Sequence, residues 1–150
     1  MFYGIKNSAD IIIVAPCCQK ELRRYVDTVS IDREDHPLAN VLKYNIYKER
    51  LSEIVTDSLR ALLLEIWDYD VNVLEFIGGE HTSKNVMITA VKRKRARKDK
   101  EKVYLRDKLK ALASFHGIPT QKLSIHLNET LNDGPIPSKS NEVKRGMPKL

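Results

Sequence analysis

An α/β fold carrying a basic helical extension is what this sequence predicts, and three observations carry the α/β part. Ile11-Ile12-Ile13-Val14 is apolar at four successive positions and ends at Pro16 ahead of a helix-prone stretch. Such a run, greasy on both faces, suits a central strand covered by helices on each side. Next, Ile46, Leu51, Ile54, Val55, Leu59, Leu62, Leu63 and Ile66 recur at helical spacing between polar positions, which is the pattern of a helix packing one face on a core. Finally, residues 71–77 and 85–92 alternate in the manner of strands. Strand, helix, strand is the order of a βαβ unit, in which a crossover joins parallel strands.

Taken along the chain, residues 1–10 read as a short helix and a loop, with Gly4 and Asn7-Ser8 as punctuation. Residues 19–26 have helical composition, and residues 30–37 form a charged loop closed by His36-Pro37. Pro37 disfavours helix at His36 but opens one itself, with Leu38, Val41 and Leu42 as the apolar side. The long helix runs from about residue 45 to residue 67, and Asp68 to Asp70 breaks it. The strand at 71–77 ends at Gly78-Gly79, and the loop Glu80-His81-Thr82-Ser83-Lys84 leads into the strand at 85–92. Two strands so joined are expected to be antiparallel neighbours. After a basic run from Lys92 to Lys102, the residues Val103, Leu105, Leu109, Leu112, Ala113 and Phe115 permit a helix stopped by Gly117. A further short helix fits between Thr120 and Leu131, and the Pro, Gly, Ser and Lys content of 132–150 predicts disorder. The expected organisation is a body at 1–93, a basic helical extension at 94–131 and a tail at 132–150.

Composition bounds the function. The chain has 150 residues, 42% of them apolar, enough for one domain with a core. No apolar run approaches the roughly 18 residues that span a bilayer, and the N-terminus lacks a signal-peptide pattern, so no membrane partner and a cytoplasmic location are expected. The two cysteines are neighbours, which excludes a scaffold of disulfides between distant segments. The formal net charge of +6 is unevenly spread: residues 1–91 hold 10 Lys+Arg against 14 Asp+Glu, and residues 92–150 hold 16 against 6. The basic character therefore sits in the second segment, an arrangement suited to a polyanion.

Several motifs in order resemble one family. Ile-Ile-Ile-Val-Ala-Pro-Cys-Cys-Gln-Lys-Glu-Leu from Ile11, His36-Pro37-Leu38-Ala39, Glu49-Arg50-Leu51, Val55-Thr56-Asp57-Ser58-Leu59-Arg60-Ala61-Leu62-Leu63-Leu64-Glu65, Val73-Leu74-Glu75-Phe76-Ile77 and Glu80-His81-Thr82-Ser83-Lys84-Asn85 together resemble the Pro-Cys-Cys branch of class I S-adenosylmethionine-dependent methyltransferases. The resemblance spans residues 10 to 93. It implies a partial Rossmann-like sheet, in which Ile11 to Val14 is the fifth strand of seven, 71–77 the sixth, and 85–92 the seventh, antiparallel and inserted between the other two. Family members hold the cofactor through a glycine-rich turn after the first strand, an acid ending the second and a polar motif after the fourth, and no such motif stands upstream of residue 11 here. Gly78-Gly79 is no substitute, because it runs from strand into strand and not from strand into helix. The chain is thus expected to act as the C-terminal portion of such an enzyme, inactive and unable to bind S-adenosylmethionine alone. A complementary half, or self-association through an unpaired strand edge, is the expected partner.

Candidate sites follow from these motifs. Pro16, Cys17, Cys18 and Gln19 end the apolar strand, where open α/β sheets place their chemistry, and the resemblance implies that they line the substrate cleft. Adjacent thiols at a helix start gain thiolate character, yet no His is fixed beside them by spacing. In the loop, Glu80, Thr82, Lys84 and Asn85 are substrate-orienting candidates, and His81 is the catalytic candidate because its reference pKa lies near 6.5. No metal centre is expected, since Cys17 and Cys18 with His36 or His81 lack the spaced pairs of zinc sites. His116 and His126 belong to no motif. The alternative function is non-catalytic: Lys92, Arg93, Lys94, Arg95, Arg97 and Lys98 form a run that binds RNA through its phosphates, without aromatic residues for base readout.

Overall fold

Four consecutive β-branched residues form β1 (Ile11–Val14), preceded by the short helix α1 (Phe2–Lys6). The computed structural model describes residues 1–16, 21–23, 25, 38–76 and 85–132. After β1 come a helical stretch at 21–23 and 25, then α2 (Ala39–Leu42), the long helix α3 (Asn45–Ile66), β2 (Tyr69–Glu75), β3 (Val86–Lys92), α4 (Asp99–Phe115) and α5 (Lys122–His126). The expected helix over 45–67 and strands over 71–77 and 85–92 are thus present with small shifts of boundary. Gly117 closes the turn after α4 with a φ of 61°, a conformation that costs glycine little. The 132–150 tail beyond Asn132 lies outside the described residues.

The sheet order is β1-β3-β2, and β3 pairs antiparallel with both neighbours. β1 and β2 therefore run parallel to each other with β3 inserted between them. Register places Ile12 opposite Ala90 and Val14 opposite Ile88, while Val71 also faces Ala90. Ile12, Ile88, Ala90 and Tyr69 are buried under the helices. α3 supplies the cover through Val55, Leu59, Leu63 and Ile66. α1 closes the same side, and there Gly4 is required: a Cβ on it would stand 2.9 Å from two side-chain carbons of Ile12.

Segment 94–131, expected as an extension, contributes to this same core. Leu109 and Ala113 of α4, together with Ile118, Leu123, Leu127 and Leu131, join the cluster formed by Ile12, Leu59, Leu63 and Ile88. The amphipathic spacing of α4 is what brings it there, its charged residues remaining outside. Arg106 fastens the end of this segment by donating from Nε and Nη2 to both carboxylate oxygens of Glu129, each at 2.8 Å.

The opposite face of the sheet differs from expectation. Ile11 and Ile13 are each 61% exposed and Val91 is 52% exposed, although an unbroken apolar run predicts cover on both sides. The physical reason is that the described helices that reach the sheet pack on the face of Ile12 and Ile88. Cross-strand pairing sets Ile11 beside Val91, so Ile11, Ile13 and Val91 form one apolar strip, with Thr89 beside Ile13.

Candidate functional site

The C-terminal ends of β1 and β2 and the start of β3 share one end of the sheet, because Val14 faces Ile88 and Glu75 faces Val86. Two of the expected site residues are described there. Pro16 lines a cleft of about 480 Å³. Asn85 holds the neck of the β2–β3 connection: its Nδ2 donates to Glu75 Oε1, and its carbonyl accepts from the Phe76 N–H at 2.8 Å. Cys17, Cys18 and Gln19 follow Pro16 directly in the chain, and Glu80, His81, Thr82 and Lys84 precede Asn85. These seven lie outside the described residues, but both segments leave from this one end.

The cleft itself is built by distant pieces of sequence. Phe2 of α1, Val14 of β1, Arg60 of α3 and Gln121, Leu123 and His126 around α5 contribute to its lining. Arg60 is held by Asp57, to which its Nη1 donates at 2.7 Å. Glu21 accepts from the Lys122 backbone N–H at 2.8 Å, tying the stretch after β1 to α5. Phe2 and His126 place their rings 5.1 Å apart at 33°. Sequence reading did not join these residues into a site because α1 and β1 at the start of the chain, α3 and α5 lie far apart in sequence. Among the described residues no group of three His, Cys, Asp or Glu converges as metal ligands, and no helix is long and apolar enough to cross a membrane.

The basic run occupies the other end of the sheet, where Lys92 pairs with Tyr69. Its members divide into two sets. Lys94, Arg95 and Lys98 are exposed, as is Lys100, and Lys92 is half-buried. Arg93 instead donates to Asp70 at 2.5 Å. Arg97 is turned inward, its side chain 11% exposed, with Nη1 donating to the carbonyls of Glu65 at 2.7 Å and Tyr69 at 3.0 Å. It thereby bolts the end of α3 to the start of β2.

Asp68 is the other half of this corner. It has a φ of 66°, accepts from the Arg97 backbone N–H at 2.7 Å and from Lys102 Nζ at 2.6 Å. Burial pushes its carboxyl up, but the hydrogen bond from Lys102, that from the Arg97 N–H and both positive charges outweigh this and hold it below the usual carboxylate value. Glu65 moves the other way, raised by burial against the opposing charge of Arg97. A lowered carboxyl contributes stability that is present above its unfolded value, here 3.8, and is lost as pH falls through the folded one. Asp68→Asn keeps a residue that tolerates positive φ and removes the charge. We expect it to cost about 1 kcal/mol at neutral pH, with the gap to wild type narrowing below pH 3.8. Thermal melts of both proteins at a series of pH values check this; a gap that stays constant into acid would contradict it.

Compared with family models, with curated proteins and with solved structures, the chain gives no match.

Proposed function

We propose that this chain supplies the substrate-side wall of an S-adenosylmethionine-dependent methyltransferase of the Pro-Cys-Cys branch, and that it transfers no methyl group until a complementary unit covers β1. The observation that carries this reading is the contrast between the two sheet edges. β2 presents Asp70, Asn72 and Glu75, all exposed, which is how proteins guard an edge against pairing. β1 presents only Ile and Val, with no charge, no proline and no partner on its outer side among the described residues. An apolar strip of Ile11, Ile13 and Val91 continues from that edge over the uncovered face. Further support is the order β1-β3-β2 with an inserted antiparallel strand, which agrees with the arrangement that the resemblance implies for a fifth, seventh and sixth strand.

In the completed enzyme the cofactor supplies a sulfonium methyl, and this chain's work is to hold and exclude. The family resemblance assigns Pro16, Cys17, Cys18 and Gln19 to the wall of the acceptor cleft and the loop Glu80 to Asn85 to its closure, and in that loop His81, whose reference pKa lies near 6.5, is the residue proposed to take the acceptor's proton. Catalysis rests on alignment of the acceptor with the methyl group, for which a rigid wall suffices.

Titration calorimetry tests the reading. The chain alone is expected to give no S-adenosylmethionine binding, and a mixture with the N-terminal half of a Pro-Cys-Cys methyltransferase carrying the glycine-rich turn is expected to bind it. Ile13→Lys, on the bare strip, should leave the chain's own melting temperature unchanged, within about 0.5 kcal/mol, while abolishing the gain on mixing. Tight binding by the chain alone, or mixing that gains nothing, would overturn the proposal.

A second reading, a polyanion-binding module, is favoured by the exposure of Lys94, Arg95, Lys98 and Lys100 on one segment. With about four phosphate contacts, the slope of log K for single-stranded RNA against log salt is expected near −3. Affinity indifferent to salt would remove this reading.

A further inference from the structure

We infer that the solvent face of α4 stacks the bases of a single-stranded nucleic acid whose phosphates run along the exposed cations at the head of that helix. The inference rests on the polyanion reading and deepens it, since the basic run by itself grips phosphate and offers no place for a base.

The first observation is an aromatic stripe on the outer side of a helix. α4 turns Leu109 and Ala113 into the core, and an amphipathic helix keeps its opposite face polar. Yet Tyr104 is 59% exposed and Phe115 is 53% exposed. Lys100, Tyr104, Lys108 and Phe115 stand at helical spacing, so cation and ring alternate along one face.

The second observation is a cleft of about 400 Å³ beside the first ring, lined by Arg97, Lys98, Lys100, Glu101, Tyr104 and Leu105. Tyr104 and Leu105 give it an apolar wall. Lys108, one turn beyond, places its Nζ 5.2 Å from the Tyr104 ring centroid and so keeps an ammonium beside the ring.

The third is charge. Residues 94–108 hold eight Lys+Arg against three Asp+Glu. Arg97, Lys102 and Arg106 are committed to Asp70, Asp68 and Glu129, whereas Lys94, Arg95, Lys98, Lys100 and Lys108 are exposed. The three acids are Asp99 and Glu101 at the head of α4, where Glu101 accepts from the Lys98 backbone N–H at 2.9 Å, and Asp107, which borders the stripe. Five exposed cations beside three acids leave this surface positive.

The combination selects the partner. A polyphosphate or an acidic peptide satisfies the cations and leaves the rings unused, and an apolar protein surface would bury ammonium groups without partners. A single strand brings phosphates and open base faces together, and every base has a face that stacks on Tyr or Phe.

The test follows the fluorescence anisotropy of labelled oligoadenylate RNA with the full chain over a series of salt concentrations. Wild type is expected to bind with salt-dependent affinity and to prefer this strand about tenfold over an abasic strand of equal length. Tyr104→Ala is expected to weaken oligoadenylate about tenfold with salt slope and melting temperature unchanged, and Tyr104→Phe to bind as wild type does. Lys100→Met should reduce the magnitude of the slope by about 0.7. Salt-dependent binding that Tyr104→Ala leaves intact would overturn the stacking inference while the polyanion reading stands, whereas no salt-dependent binding by wild type would remove both. An abasic strand or polyglutamate bound as tightly as oligoadenylate would also overturn the inference, the latter by making this face a dock for an acidic protein.

Discussion

Cutting the chain after Arg93 is expected to abolish cooperative folding altogether. That truncation leaves the body suggested by charge and composition, yet it removes Leu109, Ala113, Ile118, Leu123, Leu127 and Leu131, each at most 8% exposed, from the one core. Burial of a large apolar side chain is worth about 1.5–3 kcal/mol, so the loss of five such residues and an alanine matches the whole stability of an ordinary domain, about 5–15 kcal/mol. The cut also frees the carbonyls of Glu65 and Tyr69 that Arg97 holds. Near-UV circular dichroism and a thermal melt of residues 1–93 should show no fixed tertiary signal and no sigmoidal transition. A sharp melt would mean that 94–131 is an appendage after all. The outcome also bears on RNA binding, since deleting the basic segment would abolish binding by unfolding the protein, and point substitutions at Lys94, Arg95 and Lys98 are the cleaner probe.

Arg97→Met is expected to lower stability by about 3 kcal/mol, with a melting temperature down by about 10 °C. Methionine keeps the apolar stem but not the fork that donates to two carbonyls from one nitrogen, and it leaves Asp68 and Asp70 with one positive neighbour fewer. Arg97→Lys should recover only part, because one ammonium cannot replace at once the Nη1 contacts to two carbonyls and the Nη2 contact to Asp70. Lys94→Met, on an exposed position of the same run, should stay within about 0.5 kcal/mol of wild type. Urea denaturation with an unchanged slope and a shifted midpoint checks all three. Equal effects at Arg97 and Lys94 would deny Arg97 its structural part.

These two residues show why charge runs read poorly from sequence. Lys94 and Arg97 stand in one basic stretch, and nothing local distinguishes them; the difference lies in Asp68, Asp70 and the end of α3, some thirty positions upstream in the chain. Elements with strong periodicity were legible. The apolar stripe of α3 carries its own evidence over 22 residues, and the strand-helix-strand order left few topologies, so the neighbouring positions of β2 and β3 followed from sequence. The placement of β3 beside β1 came from the family resemblance. The bare state of Ile11 and Ile13 was not legible, since a sequence states that a strand wants cover and not whether it receives any. The cleft around Gln121 was hidden for a different reason: it is assembled from α1, β1, α3 and α5, and a lone glutamine before a short helix carries no pattern.

The unguarded side of β1 has a consequence for abundance. Two molecules whose β1 edges meet can stitch their isoleucine strands together into a growing ribbon, a reaction second order in concentration. Under the proposed function, overproducing this polypeptide without its complementary unit is expected to end in clumping or proteolytic clearance.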